Sequence, residues 1–262
     1  MHAAQTDRDH NLNPDPIPGF PSLPGPYKTA RIPTIWDRVL GAGLNARYYF
    51  SDLPFIGLWG LKYLPIVAPV APGIPPASIA KTFVDDARDG TLPNVSFIDA
   101  KFTGLGAPES DQHPFADIRA GEAFLSFVYR TLRTSPQWSR TVLVITYDDW
   151  GGFFDHVPPP KVEDRTDPAA VDHRCNEASC PEAAGAHPDY RQLGFRVPCV
   201  VVSPYASREV IHGGPFEHTS ILKMIEWRWG LEPLTARDAH ANNLVEALDF
   251  DHVNDTPLSA IG

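Results

Sequence analysis

Two neighbouring aspartates, Asp148 and Asp149, follow the apolar run 142–145 and precede Gly151-Gly152 in the stretch TVLVITYDDWGGFFDHVPPP (141–160). A β-branched run of this kind predicts a central, mostly buried strand that delivers both acids to its carboxyl end, where open α/β sheets gather their ligands. Adjacent carboxylates repel unless a cation or bound protons neutralise them. Asp148, Asp149, Asp155 and His156 within nine positions therefore fit either a hard-metal or phosphate site or a solvated loop with an acidic cap.

Positioning these groups requires a frame, and the chain alternates helical and strand periods. Thr34 is a plausible N-cap for a short helix carrying Ile35, Trp36, Val39 and Leu40, with a strand over 46–50 behind it. Ser78 reads as the cap of a second helix with Ile79, Phe83, Val84 and Ala87 on one face, stopped by Gly90 before a strand over 94–98. Residues 115–132 carry Ile118, Phe124, Leu125, Val128 and Leu132 at helical spacing. A strand over 197–202 and a helix from Thr219 or Ser220 to Gly230 complete the series, and Cys199 is expected in the core. Such alternation predicts an α/β fold: a largely parallel sheet with helices on both faces. Residues 1–30 read as an extended or disordered arm, 31–262 as one domain, and the polar stretch 161–192 as a surface loop insertion.

Several ordered blocks carry a resemblance. Beside the aspartate stretch stand GTLPNVSFID (90–99), the His-Pro of SDQHP (110–114), SPQWSRT (135–141), RVPCVVVSPYA (196–206) and HTSILKMIEWRWGLEPLTARD (218–238). Together they resemble the bacterial phosphoesterase family that contains non-haemolytic phospholipases C and related acid phosphatases, within the alkaline phosphatase-like superfamily. The resemblance runs from about Ile32 to Phe250.

It implies hydrolysis of a phosphate ester in which a hydroxyl nucleophile attacks phosphorus while a divalent metal ion stabilises charge on the phosphoryl oxygens. Position by position it assigns metal ligation to Asp148 and Asp149, the second where relatives often carry Glu. It gives His113 a role at the phosphate or leaving oxygen, although Asp111–Pro114 taken alone reads as turn chemistry leading into a helix. His156 either lines the pocket or fixes the proline turn. His218 either meets phosphate at a helix N-terminus or is a polar lead-in to that helix. Arg237 and Asp238 are expected to form a structural ion pair near a turn. The family's ENRSFDH-like opening and its Thr or Ser nucleophile ahead of a PNR-like motif find no counterpart here. The chain accordingly reads as the carboxyl-terminal part of such an enzyme or as a non-catalytic lipid- or metal-binding remnant, with weak or no turnover expected of the polypeptide by itself.

Charge narrows the partners. With 32 acids against 22 bases the formal charge is −10, which removes counterion release as a drive for nucleic-acid binding, while the resemblance implies a phospholipid or small phosphate ester as the ligand. The 28 prolines predict long irregular connections. The most apolar window, 53–70, holds Lys62, Pro54, Pro65 and Pro69, which argues against a transmembrane segment and for a loop lining an apolar cleft. The first twenty residues lack a basic start and an apolar run, so no signal peptide is expected, whereas the resembled family is commonly exported; localisation stays open. Of the three cysteines, Cys175 and Cys180 form either a small disulfide or two free thiols, and with His173 and His187 they fall short of a zinc knuckle.

Overall fold

The computed structural model describes residues 16–17, 20–24, 33–72, 81–104, 106–162 and 191–254. Ser78, Ile79 and the Cys175–Cys180 loop lie outside them.

Strand β3 (Ala46–Phe50) organises the fold, because its side chains alternate between two apolar layers. Ala46 and Tyr48 join Ile35, Trp36 and Val39 of helix α1 (Ile35–Gly41) and Leu222 of helix α4 (His218–Trp229). Tyr49, one position on, packs with Phe83 and Ala87 of helix α2 (Phe83–Asp89) and Val128 and Leu132 of helix α3 (Ile118–Arg133). Helices thus cover both faces of a parallel sheet ordered β4-β3-β5, with β4 at Val67–Pro69 and β5 at Val95–Ile98. A short antiparallel hairpin, β1 (Pro16–Ile17) with β2 (Phe20–Pro24), precedes it.

The helix limits follow capping chemistry. Asp37 returns to the Thr34 amide at 2.9 Å and starts α1 where the sequence predicts. Helix α2 starts later than expected. Its cap is Thr82, whose Oγ1 accepts from the Asp85 amide at 3.1 Å, so the Ser78 cap is superseded by a second capping residue four positions on. Gly90 and Gly230 close α2 and α4. The start of α4 is capped by Glu217, two or three residues before the expected Thr219 or Ser220, with the Glu217 amide donating to Ser220 Oγ at 3.0 Å.

The strand that carries the aspartates departs from expectation. Strand β6 (Leu143–Thr146) is not central in the parallel sheet; it pairs antiparallel with β7 (Cys199–Val202), Leu143 opposite Val202, and is only half-buried. Its other edge has no partner strand among the described residues, which leaves every position partly open. Cys199, expected in the core, is exposed on β7, whose own outer edge also has no partner strand among the described residues. Leu143 and Val202 nevertheless pack on the α2–α3 cluster beside Ile98, so β6 and β7 lie in the same middle layer as the parallel sheet.

A bridge between Lys161 and Gln192, with the Val162 amide donating to the Arg191 carbonyl at 2.9 Å, joins the two ends of the stretch expected as an insertion, whose residues 163–190 lie outside the described residues. Residues 53–70 form two 3₁₀ turns and β4, and no helix of the described residues is long and apolar enough to cross a membrane.

Candidate functional site

A cavity of about 2560 Å³ opens between β5 and β6, and Asp148, Asp149 and His113 all line it. Behind β6 the chain turns at Gly151 and Gly152, whose φ values of 66° and 78° lie in the left-handed region that only glycine adopts at little cost. The aspartates shape this turn themselves. Asp148 Oδ1 accepts from the Asp149 amide at 3.0 Å and Asp149 Oδ1 from the Gly151 amide at 2.6 Å, so each carboxylate keeps its second oxygen available in an exposed position.

Tyr147 ties the neighbouring elements to this strand end. Its hydroxyl hydrogen-bonds the side chain of Gln112, the residue before His113, and so ties that loop to the end of β6. Gln112 has a φ of 63°, uncommon for a residue with a Cβ, and its side chain occupies the space where a Cβ on Gly121 of α3 would come within 2.2 Å. The His113 imidazole is exposed, and its amide donates to Asp111 Oδ1 at 3.2 Å, so the turn chemistry of Asp111–Pro114 is realised. From the opposite layer His218, the first residue of α4, donates Nε2–H to the Tyr147 carbonyl at 2.6 Å. That bond fixes the α4 terminus to β6. The acid at this helix start is Glu217, bound by Arg237 Nε at 2.8 Å.

The remaining sequence candidates sit apart. Asp155 is held by Arg196 through Nε at 2.8 Å and Nη2 at 2.9 Å, a bidentate pair that keeps its carboxyl well below the usual carboxylate range. His156 projects into solvent with Nδ1 3.9 Å from Asp155 Oδ1, too far for a hydrogen bond, and does not line the cavity. Arg237 and Asp238 do not pair with each other as expected: Arg237 takes Glu217, and Asp238 accepts from the Leu234 and Thr235 amides, both at 2.7 Å.

Two carboxyl groups that sequence reasoning passed over are strongly perturbed. Asp99 ends β5 as Asp148 follows β6, but it is buried; it accepts from Tyr48 Oη at 2.5 Å and the Phe55 amide at 3.2 Å, and desolvation pushes it up to about 6. The pattern of an apolar run ending in Asp was present in NVSFID as it was in LVITYDD. Glu226 of α4 is buried beside Asp238, and burial together with that neighbouring carboxylate pushes it up to about 8, while Asp238 is held low.

Asp148 and Asp149 offer hard oxygen donors suited to a divalent cation. Among the described residues, however, no three His, Cys, Asp or Glu side chains form a group able to hold a metal ion. The pair supplies part of a coordination sphere and does not make a metal centre by itself.

Comparison with known proteins bears on this arrangement. Residues 69–232 match the family described as Phosphoesterase family. Non-specific phospholipase C1 of Arabidopsis thaliana is 33% identical over 94% of this chain and 43% of its own length. Non-specific phospholipase C6 of the same plant is 36% identical over 79% of this chain and 39% of its own. Phospholipase C A of Mycobacterium tuberculosis is 33% identical over 70% of this chain and 33% of its own. The chain therefore spans about two-fifths or less of the length of these curated relatives.

Proposed function

Since the chain belongs to the phosphoesterase family, we propose that it carries the Asp148–Asp149 side of a phospholipase C-type site, one that hydrolyses the glycerol-side phosphate ester of a phospholipid. The observation that carries this reading is the pair of exposed carboxylates at the end of β6, facing one cavity with His113. In that role the pair contributes oxygen donors to a divalent cation completed by ligands from outside the described residues; a bound cation would neutralise charge on the phosphoryl oxygens. His113, whose neighbour Gln112 is tethered to Tyr147, would in this reading donate a proton to the leaving alkoxide. His218 holds the Tyr147 carbonyl and so positions the strand end, while His156 lies in solvent outside the cavity and has no part in this reading.

A lipid is favoured over a small monoester by the surface around the acids. Leu53 and Phe55 line the cavity and are exposed, and Trp150, Phe153 and Phe154 are exposed immediately behind the pair. Acyl chains or a lipid interface would cover such surface, whereas a small phosphate monoester would not. The polypeptide alone is expected to turn over weakly or not at all: Thr146, the aliphatic hydroxyl nearest the pair in sequence, donates to the Pro198 carbonyl at 3.3 Å and is directed to β7.

The test replaces the matched region of non-specific phospholipase C1 with this chain and assays phosphatidylcholine and a chromogenic phosphate monoester with added divalent metals. Diester turnover that Asp148→Asn with Asp149→Asn abolishes supports the reading. Preference for the monoester would favour an acid phosphatase, and a folded but inactive chimaera, or one indifferent to the double substitution, would overturn it.

A further inference from the structure

The cavity has a shape that ligand binding alone does not explain. Its lining includes every residue of 90–100 and every residue of 141–149, so both strands present a whole edge, with both side-chain faces, to the same space. Among the described residues β5 pairs only with β3 and β6 only with β7. Above and below, the space is bounded by the two helical layers: Ile118, Phe124 and Val128 of α3 on one side, Ile221, Leu222 and Ile225 of α4 on the other. An open strand edge is a template for another chain, and two of them facing one apolar interlayer space make a slot for extended backbone.

The ends of the slot are held. At the amino-terminal approach to both strands, Gln137 copies a backbone partner: its Oε1 accepts from the Leu92 amide at 2.7 Å and its Nε2 donates to the Leu92 carbonyl at 3.0 Å. At the far end the Tyr147–Gln112 bond joins β6 to the loop before α3. Between these ties no strand pairing connects β5 to β6, although Ile98 and Leu143 share one apolar cluster.

We infer that the space between β5 and β6 receives an extended, largely apolar strand from the portion of the phosphoesterase polypeptide that this chain does not match in its relatives. Inserted there, the strand pairs with β5 on one edge and β6 on the other, about 4.8 Å from each neighbour, and merges the two sheets into one. Strand β6 then becomes the central, buried strand its sequence predicts. The inserted strand's end would lie beside Asp148 and Asp149, where it can supply groups the described residues lack. More than half the length of the phospholipase C1 relative is unmatched and available as the source. The inference stands on layer geometry and is independent of the proposed reaction.

The test measures amide hydrogen exchange at 95–98 and 143–146 in three samples: the 262-residue chain alone, the chain co-expressed with the unmatched portion of non-specific phospholipase C1 as a separate polypeptide, and the single-chain chimaera. The expected result is co-purification of the two polypeptides and exchange slowed by about tenfold or more at both edges, in the pair and in the chimaera. Edge amides already protected in the chain alone would show the slot filled by its own residues and overturn the inference. So would a chimaera whose edge amides exchange as in the chain alone. Because exchange reads strand pairing whether or not any ester is hydrolysed, failure here is distinct from failure of the proposed function.

Discussion

Strands β5 and β6 both run an apolar segment into aspartate, yet Asp99 is sealed beneath Tyr48 and the Phe55 amide whereas Asp148 and Asp149 stand in solvent and curl onto their own backbone. The difference lies in what flanks each strand. β5 has β3 beside it and the Phe55 turn over its end, so its acid is desolvated and recruited into the frame. β6 has one antiparallel neighbour and an open edge, so its acids keep free oxygen positions facing a cavity. Equivalent sequence patterns thus seal one carboxylate into the frame and leave the other two open to a cavity. A buried carboxylate is costly unless hydrogen-bonded, while an exposed pair costs little and stays available.

The sharpest way to break this contrast is to damage the closed side. Phe83 is fully buried between Tyr49 and Phe127, so Phe83→Ala should lower unfolding free energy by about 3–5 kcal/mol in denaturant titration. Val200→Ala on β7, where the side chain is 51% exposed, should change it by less than about 0.5 kcal/mol. Comparable losses would mean that β6–β7 is packed as tightly as the parallel sheet. Next in size, Gln137→Ala removes both bonds to Leu92 and should cost about 1–3 kcal/mol, with faster exchange of the Leu92 amide.

How much was legible beforehand follows the range of the interactions. Helix α1, its Thr34 cap and the glycine stops of α2 and α4 depend on residues within a turn of one another, and they lie where local chemistry puts them. Strands β3, β5, β6 and β7 were legible for the same reason, whereas β4, in a stretch read as a loop, and the β1–β2 pair, in a stretch read as an arm, were not. Partners were not. Period and β-branching show that 142–145 is extended and apolar but cannot say which strand lies alongside, and the antiparallel β7 and the open edge moved β6 and Cys199 outward. The candidate site divides in the same way. Asp148 and Asp149 announce themselves by adjacency. Asp99 looks identical in sequence and is distinguished only by Tyr48, 51 positions away. Glu226 and Asp238 give no local sign of meeting, because α4 and the short helix Ala236–His240 that carries Asp238 are brought together by packing.

Proton linkage separates the regions further. Glu226 rises from 4.5 to about 8 on folding and Asp99 from 3.8 to about 6, so the folded chain binds more protons than the unfolded one across those intervals. Both groups therefore make stability fall as pH rises, from about pH 4 to 6 for Asp99 and from about pH 4.5 to 8 for Glu226. Asp238, held low, contributes the opposite sign at acid pH. Glu226→Gln keeps a donor facing Asp238 and should flatten the decline between pH 6 and 8, as followed by thermal melts. An unchanged slope would show that Glu226 is not protonated in the fold. The smallest effect is expected of Arg196→Ala, whose exposed pair with Asp155 is screened by solvent; the melting temperature should barely move, and less so in high salt.

The most direct measurement compares the two strand ends in the chimaera with non-specific phospholipase C1, recording melting temperature and phosphatidylcholine turnover for Asp99→Ala and for Asp148→Asn with Asp149→Asn. Asp99→Ala leaves the Tyr48 hydroxyl and the Phe55 amide without their acceptor and should lower stability by about 1–3 kcal/mol, with turnover kept at temperatures where the protein is folded. The double substitution should leave the melting temperature unchanged and abolish turnover. A double variant that keeps its activity, or one that loses its fold while Asp99→Ala does not, would contradict the assignment of structure to one strand end and chemistry to the other.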